Sequence, residues 1–290
     1  MTQQSEGRDS LGGALIIVAT PIGNLGDISH RAEQMLASAD LIAAEDTRHS
    51  RKLLNHLGLE KPLAALHEFN EEARSGSLLD RVAQGQVVAL VSDAGTPLIS
   101  DPGFHLVREA HRRGLKVTTA PGACAAIAAL SVGGLPTDRF VFEGFLPSKE
   151  GARRRRLDSL RKEARTLIFY ESPHRIDGCL QNLAEVFGED RQGVVARELT
   201  KSYETVYVDA LGQLAERAQG DPDMRRGEIV VLVAGAEVDR EEAAADLDVE
   251  RLLVRLLQEL PVKKVARVVA DVTGLPKNEL YQRALALKGE

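Results

Sequence analysis

An apolar run that ends in a loop of small residues indicates the fold class of this chain. Residues 87–91 have the sequence VVALV, and the next six, Ser92 to Pro97, have the sequence SDAGTP. Such a run predicts a buried strand that presents a loop at one edge of a sheet. Open α/β sheets bind ligands at the carboxyl ends of their strands. The stretch is therefore either part of a ligand site or a tight strand-to-helix turn. Asp101 and Pro102 then predict a helix start, with Asp101 as the N-cap.

Further apolar runs predict two sheets of different kinds. In the first part of the chain, the predicted strands alternate with helical patterns, which favours a parallel, doubly wound sheet. These strands are residues 14–19, 41–44, 62–66, 87–91 and 116–119. The second set is 140–144, 166–170, 193–197, 203–208 and 228–233. The last three strands of this set have one helix among them, 211–218, so a mixed sheet is expected.

The length of 290 residues predicts about two domains. We expect a disordered tail (1–13), an N-terminal α/β domain (14–120), a second α/β domain (121–236) and an acidic linker (237–250). Residues 251–290 contain three short helical patterns that resemble a helix-turn-helix unit.

Composition and motifs exclude several classes of protein. The net charge is −6, and the two cysteines, Cys124 and Cys179, suit a reducing cytosol. No apolar run approaches the ~20 residues that cross a bilayer. The patterns GxxxxGK[ST], HExxH, CxxC and GxSxG are absent from the sequence, so a P-loop, a catalytic metal and a hydrolase elbow are not expected. We therefore predict a cytoplasmic protein without a metal and without a membrane partner.

Two local basic patches contrast with the acidic total. Residues 153–165 contain seven Lys/Arg and two Asp/Glu, a balance of 7 − 2 = +5, and begin with Arg153, Arg154, Arg155 and Arg156. Residues 251–290 contain eight Lys/Arg and four Asp/Glu, a balance of 8 − 4 = +4. Each patch is either a solvated helix face or a surface that contacts phosphates. Their occurrence on an acidic chain favours a nucleic-acid partner.

Ionisable residues also cluster where four predicted strands end. The clusters lie at 45–48, 67–70, 170–175 and 197–201. Singly, each could be a helix cap or a surface ion pair, because ionisable groups are normally exposed. Together, at strand ends from both halves of the chain, they indicate a cleft between two domains.

Six separated motifs resemble one family. TPIGNLGD at 20–27, SDAGTPLISDPG at 92–103 and PGACAA at 121–126 are similar to the tetrapyrrole-methylase superfamily. AEDTR at 44–48, FYESPHR at 169–175 and ARELTK at 196–201 resemble its ribosomal RNA methyltransferase branch. The first loop lacks the GxGxGD of tetrapyrrole enzymes, which favours the RNA branch.

The resemblance implies S-adenosylmethionine as cofactor, bound in a cleft between two α/β domains. It implies a cytidine ribose 2′-oxygen in 16S rRNA of the small ribosomal subunit as substrate, and a homodimer. The implied cofactor-binding residues are Pro21, Ser92, Asp93, Gly95, Thr96, Ala123 and Cys124, with backbone near Met224–Glu228 as a further candidate.

The same resemblance gives candidate catalytic and substrate-binding residues. Glu171 and Asp46 are candidate general bases for the hydroxyl proton. Arg48 and Lys201 complete the catalytic candidates, and His174 and Arg175 are candidate RNA contacts. Arg153 to Arg156 are further candidate RNA contacts because of the basic patch at 153–165, not because of the resemblance.

Two other functions remain open at this point. A tetrapyrrole carbon methyltransferase would have the same fold, but the two basic patches disfavour it. A non-catalytic nucleic-acid-binding regulator would use the terminal helices, which could equally be a packing module, and would leave the cleft motifs unexplained.

Overall fold

A computed structural model of the protein describes residues 12–237 and 249–288. Residues 1–11 of the predicted tail (1–13) and residues 238–248 of the predicted linker (237–250) lie outside the described residues. The strands are β1 Ala14–Val18, β2 Leu41–Ala44, β3 Leu63–Ala65, β4 Val87–Val91, β5 Lys116–Ala120, β6 Phe140–Phe145, β7 Thr166–Glu171, β8 Gln192–Arg197, β9 Thr205–Ala210 and β10 Ile229–Val233. The helices are α1 His30–Ser38, α2 Thr47–His56, α3 Glu71–Ala83, α4 Phe104–Arg112, α5 Ala125–Val132, α6 Glu150–Leu160, α7 Ile176–Phe187, α8 Leu211–Gly220, α9 Val249–Leu257, α10 Val262–Thr273 and α11 Lys277–Lys288.

The first sheet is parallel, as the alternation of strands and helices predicted. Its order is β3-β2-β4-β1-β5, and all its pairings are parallel. Successive side chains point to opposite faces, so Leu15 packs in one core cluster with Leu79 and Leu106, while Ile16 packs in another with Leu36. Helices on both faces cover the sheet, which explains why β1 and β4 are buried along their whole length.

The second sheet is mixed, which confirms that prediction. Its order is β6-β7-β10-β8-β9, with a parallel β6–β7 pair and antiparallel pairs elsewhere. Ile22, from the loop after β1, belongs to the same core cluster as Ile168 and Leu232 of this sheet. A loop of the first sheet therefore packs into the core of the second sheet, and both sheets belong to one compact unit made of residues 12–161 and 165–234.

Three predicted boundaries were wrong, each because tertiary contacts outweigh a local signal. Asp101 is not an N-cap, since α4 begins at Phe104 after Gly103. Gly103 has φ +132°, and a Cβ there would lie 2.7 Å from Cδ2 of Leu90. Pro121 and Gly122 in the sequence also predict a helix start, but α5 begins only at Ala125. Strand β9 begins at residue 205, after a turn in which the backbone N–H of Thr200 donates to the carboxylate of Glu204.

Helices α9, α10 and α11 belong to a second compact unit, whose described residues are 162–164, 235–237 and 249–288. Leu253, Val265, Val269 and Leu280 are fully buried in its core. Helix α10 ends at Gly274 in the left-handed conformation, φ +74°. The three predicted helices are confirmed. Among the described residues, no helix is both long enough and apolar enough to cross a membrane.

Candidate active site

A cavity of about 340 Å³ lies between the carboxyl-end loops of the first sheet and the facing edge of the second sheet. Its walls come from the loops after β1, β4, β5, β7 and β8 and from the start of β10. The residues that line it are Ile22, Ala94, Gly95, Thr96, Ile99, Ser100, Asp101, Cys124, Ala125, Phe145, Tyr170, Glu171, Ser172, Pro173, Ala196, Leu199, Gly227, Glu228, Ile229 and Val230. The predicted cleft is thus present at the edge where α/β sheets bind ligands.

Hydrogen bonds join three loops of the first sheet into one wall of the cavity. Thr20 and Gly95 exchange backbone hydrogen bonds of 2.8 and 3.1 Å. The Thr20 hydroxyl donates to the carbonyl of Ser92, and the Thr96 hydroxyl donates to the carbonyl of Ala123 at 2.9 Å. The small polar residues predicted to hold a cofactor therefore fix the shape of this wall.

Small side chains leave room for a ligand to approach the backbone of this wall. Gly95 has φ +81°, and a Cβ there would lie 3.2 Å from Cγ2 of Ile22. Leu98 and Ser100, on the same loop, also have positive φ values of 75° and 66°. Strained conformations of non-glycine residues are typical of functional sites. Here they turn Ile99 and Ser100 towards the cavity.

Asp101 is a site residue that the sequence analysis missed. Asp101 lines the cavity, and partial burial, followed by the nearby charge of Glu45, raises the pKa of its carboxyl group to about 6. Burial and the charge of Asp93 also raise the pKa of Glu45. The Asp-Pro-Gly sequence suggested a helix cap, and only the three-dimensional proximity of these carboxylates distinguishes Asp101 from a capping residue.

Glu171, a predicted catalytic residue, lies in the cavity wall and its side chain is buried. Its Oε1 accepts a 2.7 Å hydrogen bond from the backbone N–H of Ser172 and lies 3.3 Å from Nε of Arg175. Arg175 also donates to the carbonyl of Leu146 at 2.6 Å. Arg175 therefore holds Glu171 in place and ties it to the end of β6.

Asp46 and Arg48, predicted catalytic residues, pair with each other outside the cavity lining. The Asp46 carboxylate caps α2 by accepting from the N–H of Arg48, and Nη2 of Arg48 lies 2.7 Å from Oδ2. These bonds hold the pKa of Asp46 well below its usual range. The carboxylate of Asp93 accepts a hydrogen bond from the N–H of Asp46, so Asp93 positions this loop.

Lys201, the remaining catalytic candidate, lies in the loop after β8 of the second sheet and contacts the loop after β1 of the first sheet. Its Nζ lies 2.8 Å from Glu198 and 3.1 Å from Glu228. Burial works to lower the pKa of Lys201, but these hydrogen bonds outweigh it and raise the pKa above its ordinary value. A Cβ on Gly23 would lie 2.5 Å from Cγ of Lys201, so the lysine stem packs against the loop after β1.

Tyr170 forms an aromatic wall of the cavity. Its ring packs edge to face against Phe142 and Phe145, at 4.9 and 5.6 Å between centroids. Its hydroxyl oxygen accepts a hydrogen bond from the N–H of Ala126 at the start of α5. Burial and the nearby Cys124 raise the pKa of Tyr170, so the hydroxyl stays protonated.

The structure brings together part of the predicted cofactor site. Gly95, Thr96 and Cys124 line the cavity. Pro21, Ser92, Asp93 and Ala123 lie in the same loops behind that lining, and Gly227 and Glu228 contribute the predicted backbone segment. His174 is exposed.

The four arginines predicted to contact RNA have different environments. Arg153 is buried, and its guanidinium donates to Oδ1 of Asn182 at 2.7 Å, so it joins α6 to α7 and is not part of the exposed side of α6. Arg154 lies 2.6 Å from Glu185, and Arg156 lies 2.7 Å from Glu143. Arg155 is exposed and has no ion pair within the part of the chain that the structure describes.

Comparison with known proteins agrees with this architecture. Residues 14–215 match the family of Tetrapyrrole (Corrin/Porphyrin) Methylases, and residues 243–288 match the RsmI C-terminal HTH domain. The chain is 53% identical to the ribosomal RNA small subunit methyltransferase I of Pseudomonas aeruginosa, over 96% of this chain and 99% of that protein. The chain belongs to the ribosomal RNA small subunit methyltransferase I family. A relative of the same name in Escherichia coli O157:H7 is 49% identical, over 99% of this chain and all of that protein.

Solved structures share the fold of this family at low sequence identity. The methyltransferase CobJ has a TM-score of 0.58 at 22% identity, covering 78% of this chain and 95% of that one. A uroporphyrin-III-C-methyltransferase from Thermus thermophilus has a TM-score of 0.53 at 20% identity, covering 77% and 94%. These similarities confirm the predicted fold.

Proposed function

We propose that this methyltransferase transfers a methyl group from S-adenosylmethionine to the ribose 2′-oxygen of a cytidine in 16S rRNA. The observation that supports this most is the near-full-length similarity to proteins named for methylation of small-subunit ribosomal RNA. We also propose that the protein acts as a homodimer in the cytoplasm.

The residues of the cavity fit this cofactor. Gly95, Thr96, Cys124 and Ala125 give a wall with little side-chain bulk, in which backbone groups can approach an adenosyl and a methionine moiety. A Cβ at Gly95 would narrow this wall. Tyr170 and Phe145 add an aromatic wall that suits a nucleoside base.

The bound cofactor supplies a methyl group on a positively charged sulfur, and the transfer forms an O–CH₃ bond as the S–CH₃ bond breaks and a neutral thioether leaves. The protein then has two tasks: it aligns the ribose oxygen with the methyl carbon, and it accepts the hydroxyl proton. The hydrogen-bonded loops after β1, β4 and β5 align the ribose oxygen with the methyl carbon.

Asp101 is our first candidate for the proton acceptor. It lines the cavity, and its raised pKa keeps it a stronger base than an ordinary aspartate while leaving it ionised at neutral pH. Asp46 is a poorer base, because Arg48 stabilises its ionised form. Glu171 is held by Arg175 and by the N–H of Ser172, so we assign it a positioning role in the wall. Arg48, Lys201, His174 and Arg175 remain candidates for orienting the RNA.

A Glu171→Gln variant tests the role of Glu171. The substitution keeps the size of the side chain but removes the charge that Arg175 faces. We expect slower methyl transfer, by about tenfold or more, with cofactor affinity changed far less. Single-turnover rates and equilibrium binding of S-adenosylmethionine measure the two effects. Equal losses in both would mean that Glu171 serves the cofactor site instead.

The proposed function is tested with S-adenosylmethionine labelled in the methyl group. The acceptor is small ribosomal subunits isolated from cells that lack this modification. Label in the 16S rRNA, with none in subunits that already carry the modification, supports the proposal. Transfer to a porphyrinogen in place of RNA would contradict it and favour a tetrapyrrole substrate.

A further inference from the structure

The loop after β3, residues 67–70, holds an aromatic side chain in solvent. Phe69 is 94% exposed, the largest value among the exposed large hydrophobic residues of the described chain. Its ring packs only edge to face with His67, at 6.2 Å between centroids. A single exposed hydrophobic residue is common on protein surfaces, so the surroundings of Phe69 decide whether it marks a contact site.

Hydrogen bonds hold the backbone of this loop in one conformation. The carboxamide oxygen of Asn70 accepts from the N–H of His67 at 2.9 Å, and the Asn70 amide nitrogen donates to the carbonyl of Ala65. Arg74 donates to the same carbonyl at 2.9 Å, and Leu66 donates to the carbonyl of Ala44. Phe69 therefore projects from a fixed turn.

Helix α2, which leads from β2 towards β3, carries cations on its exposed side. Ser50, Leu53 and Leu54 form its buried side, while Arg48, His49, Arg51 and Lys52 are exposed, and residues 47–56 include no Asp or Glu. Strands β2 and β3 are parallel neighbours, with Ala44 opposite Ala65. The start of α2 and the Phe69 loop consequently lie at the same carboxyl edge of the sheet as the cavity.

We propose that Phe69 at this edge, together with Arg51 and Lys52 further along the exposed side of α2, binds unpaired RNA next to the target nucleotide. Phe69 stacks on a base, and Arg51 and Lys52 contact phosphates, while Arg48 is already paired with Asp46. An aromatic ring with neighbouring cations is the combination that single-stranded nucleic acids require. This inference rests on the proposed function.

A second copy of the chain is the other occupant to consider, and the charges disfavour it. A two-fold symmetric interface at this edge would bring the same cationic helix face of both copies together. An RNA strand instead supplies negative phosphates to Arg51 and Lys52 and a flat apolar face to Phe69. The surface therefore matches RNA in both charge and shape.

The test compares Phe69→Ala and Phe69→Trp with the wild type on unmodified small ribosomal subunits. We expect Phe69→Ala to raise KM for the subunits about tenfold or more, with kcat and S-adenosylmethionine affinity unchanged. Phe69→Trp restores KM, because it keeps a stacking surface. Val208→Ala is the matched control, since Val208 is 55% exposed on the edge strand of the other sheet, and it leaves KM unchanged.

A second measurement tests the cations with a single-stranded RNA oligonucleotide. Arg51→Gln with Lys52→Gln should reduce the slope of log affinity against log salt by about 1.4, that is, about 0.7 for each lost phosphate contact. Arg81 is exposed in the last turn of α3, at the end of that helix far from the Phe69 loop. Arg81→Gln is therefore the control, and it leaves the slope unchanged.

Three outcomes overturn the inference. The first is an unchanged KM for Phe69→Ala, with the proposed function intact. The second is a changed sedimentation coefficient for Phe69→Ala, which would assign this edge to an interface between copies. The third is equal oligonucleotide binding by wild type and Phe69→Ala, a result that decides the matter even if the wild type fails to methylate the subunits.

Discussion

At the scale of single residues, three acidic side chains near the cavity differ because their surroundings differ. Arg48 stabilises the charge of Asp46, Arg175 and a backbone N–H hold Glu171, and Asp101 is partly buried near Glu45. Asp46 and Glu171 each stand in a family-like motif and are therefore predicted from the sequence. Asp101 was missed because the influence of Glu45 on it depends on how the chain folds.

Replacing Asp101 by Asn tests its role as proton acceptor. The carboxylate must be ionised to accept a proton, so the wild-type rate should rise as pH passes through about 6 and then level off. Asp101→Asn should lower kcat by about a hundredfold or more and remove this pH dependence. Methylation rates from pH 5 to 8 at saturating substrates measure both effects. A pH profile that is unchanged in the variant would exclude Asp101 as the proton acceptor.

The same substitution should affect stability with a defined sign. The folded-state pKa of Asp101 is raised above its ordinary value of 3.8, so ionising it opposes folding, and stability falls as pH rises through about 6. Above that pH, Asp101→Asn should be more stable than wild type by about 1 kcal/mol, a value reduced because the carboxyl group is partly solvated. Thermal unfolding at pH 5 and pH 8 checks this.

Substitutions of Arg153 and Arg155 in α6 should have different effects, one on stability and the other on RNA binding. Arg153→Ala removes the guanidinium partner of Asn182 and should cost about 2–3 kcal/mol of stability. Arg155→Ala, on the exposed side, should leave stability unchanged and weaken RNA binding. Urea unfolding and RNA binding of both variants test this, and a stable Arg153→Ala variant would contradict it. A signal for Arg153 exists in the sequence, because positions 153, 157 and 160 share one helix face with two leucines.

At the scale of elements, Lys201 connects the loop after β8 to the loop after β1. The stem of Lys201 packs on Gly23, while its amino group binds Glu198 and Glu228. Glu198 and Thr200 have positive φ values of 52° and 66°, which shows that this loop is held in an unfavourable conformation. The contact between Lys201 and Gly23 therefore joins a loop of the first sheet to a loop of the second sheet beside the cavity.

A double-mutant cycle tests this contact. Gly23→Ala places a Cβ where the lysine stem lies, so we expect it to lower the methylation rate and to cost about 1–3 kcal/mol of stability. In a Lys201→Ala background the same change should cost much less, because the clash is gone. Purely additive effects in chemical unfolding would show that the two residues do not interact.

The elements themselves were largely predictable from the sequence. Alternating strand and helix patterns identify a parallel first sheet, and closely spaced strands identify a mixed second sheet. The starts of α4 and β9 were predicted wrongly, because Asp101 faces the cavity and Tyr203 belongs to a turn. Local signals place an element, while long-range contacts decide where it begins.

At the scale of the whole molecule, the fold does not determine the substrate. Solved structures of tetrapyrrole enzymes share this fold at about 20% identity. What distinguishes this chain is its similarity in sequence to ribosomal RNA methyltransferases along its length, including the C-terminal match. We propose that the cavity holds the methyl donor and that the charged and aromatic surfaces around it select an RNA over a porphyrinogen.

The most direct measurement locates the transferred methyl group on the RNA. Unmodified small subunits are incubated with methyl-labelled S-adenosylmethionine, and the purified 16S rRNA is hydrolysed with alkali, which requires a neighbouring 2′-hydroxyl to cut the chain. We predict label in an alkali-resistant dinucleotide with a cytidine on its 5′ side. Label in mononucleotides, and therefore on a base, would contradict methylation of the ribose oxygen.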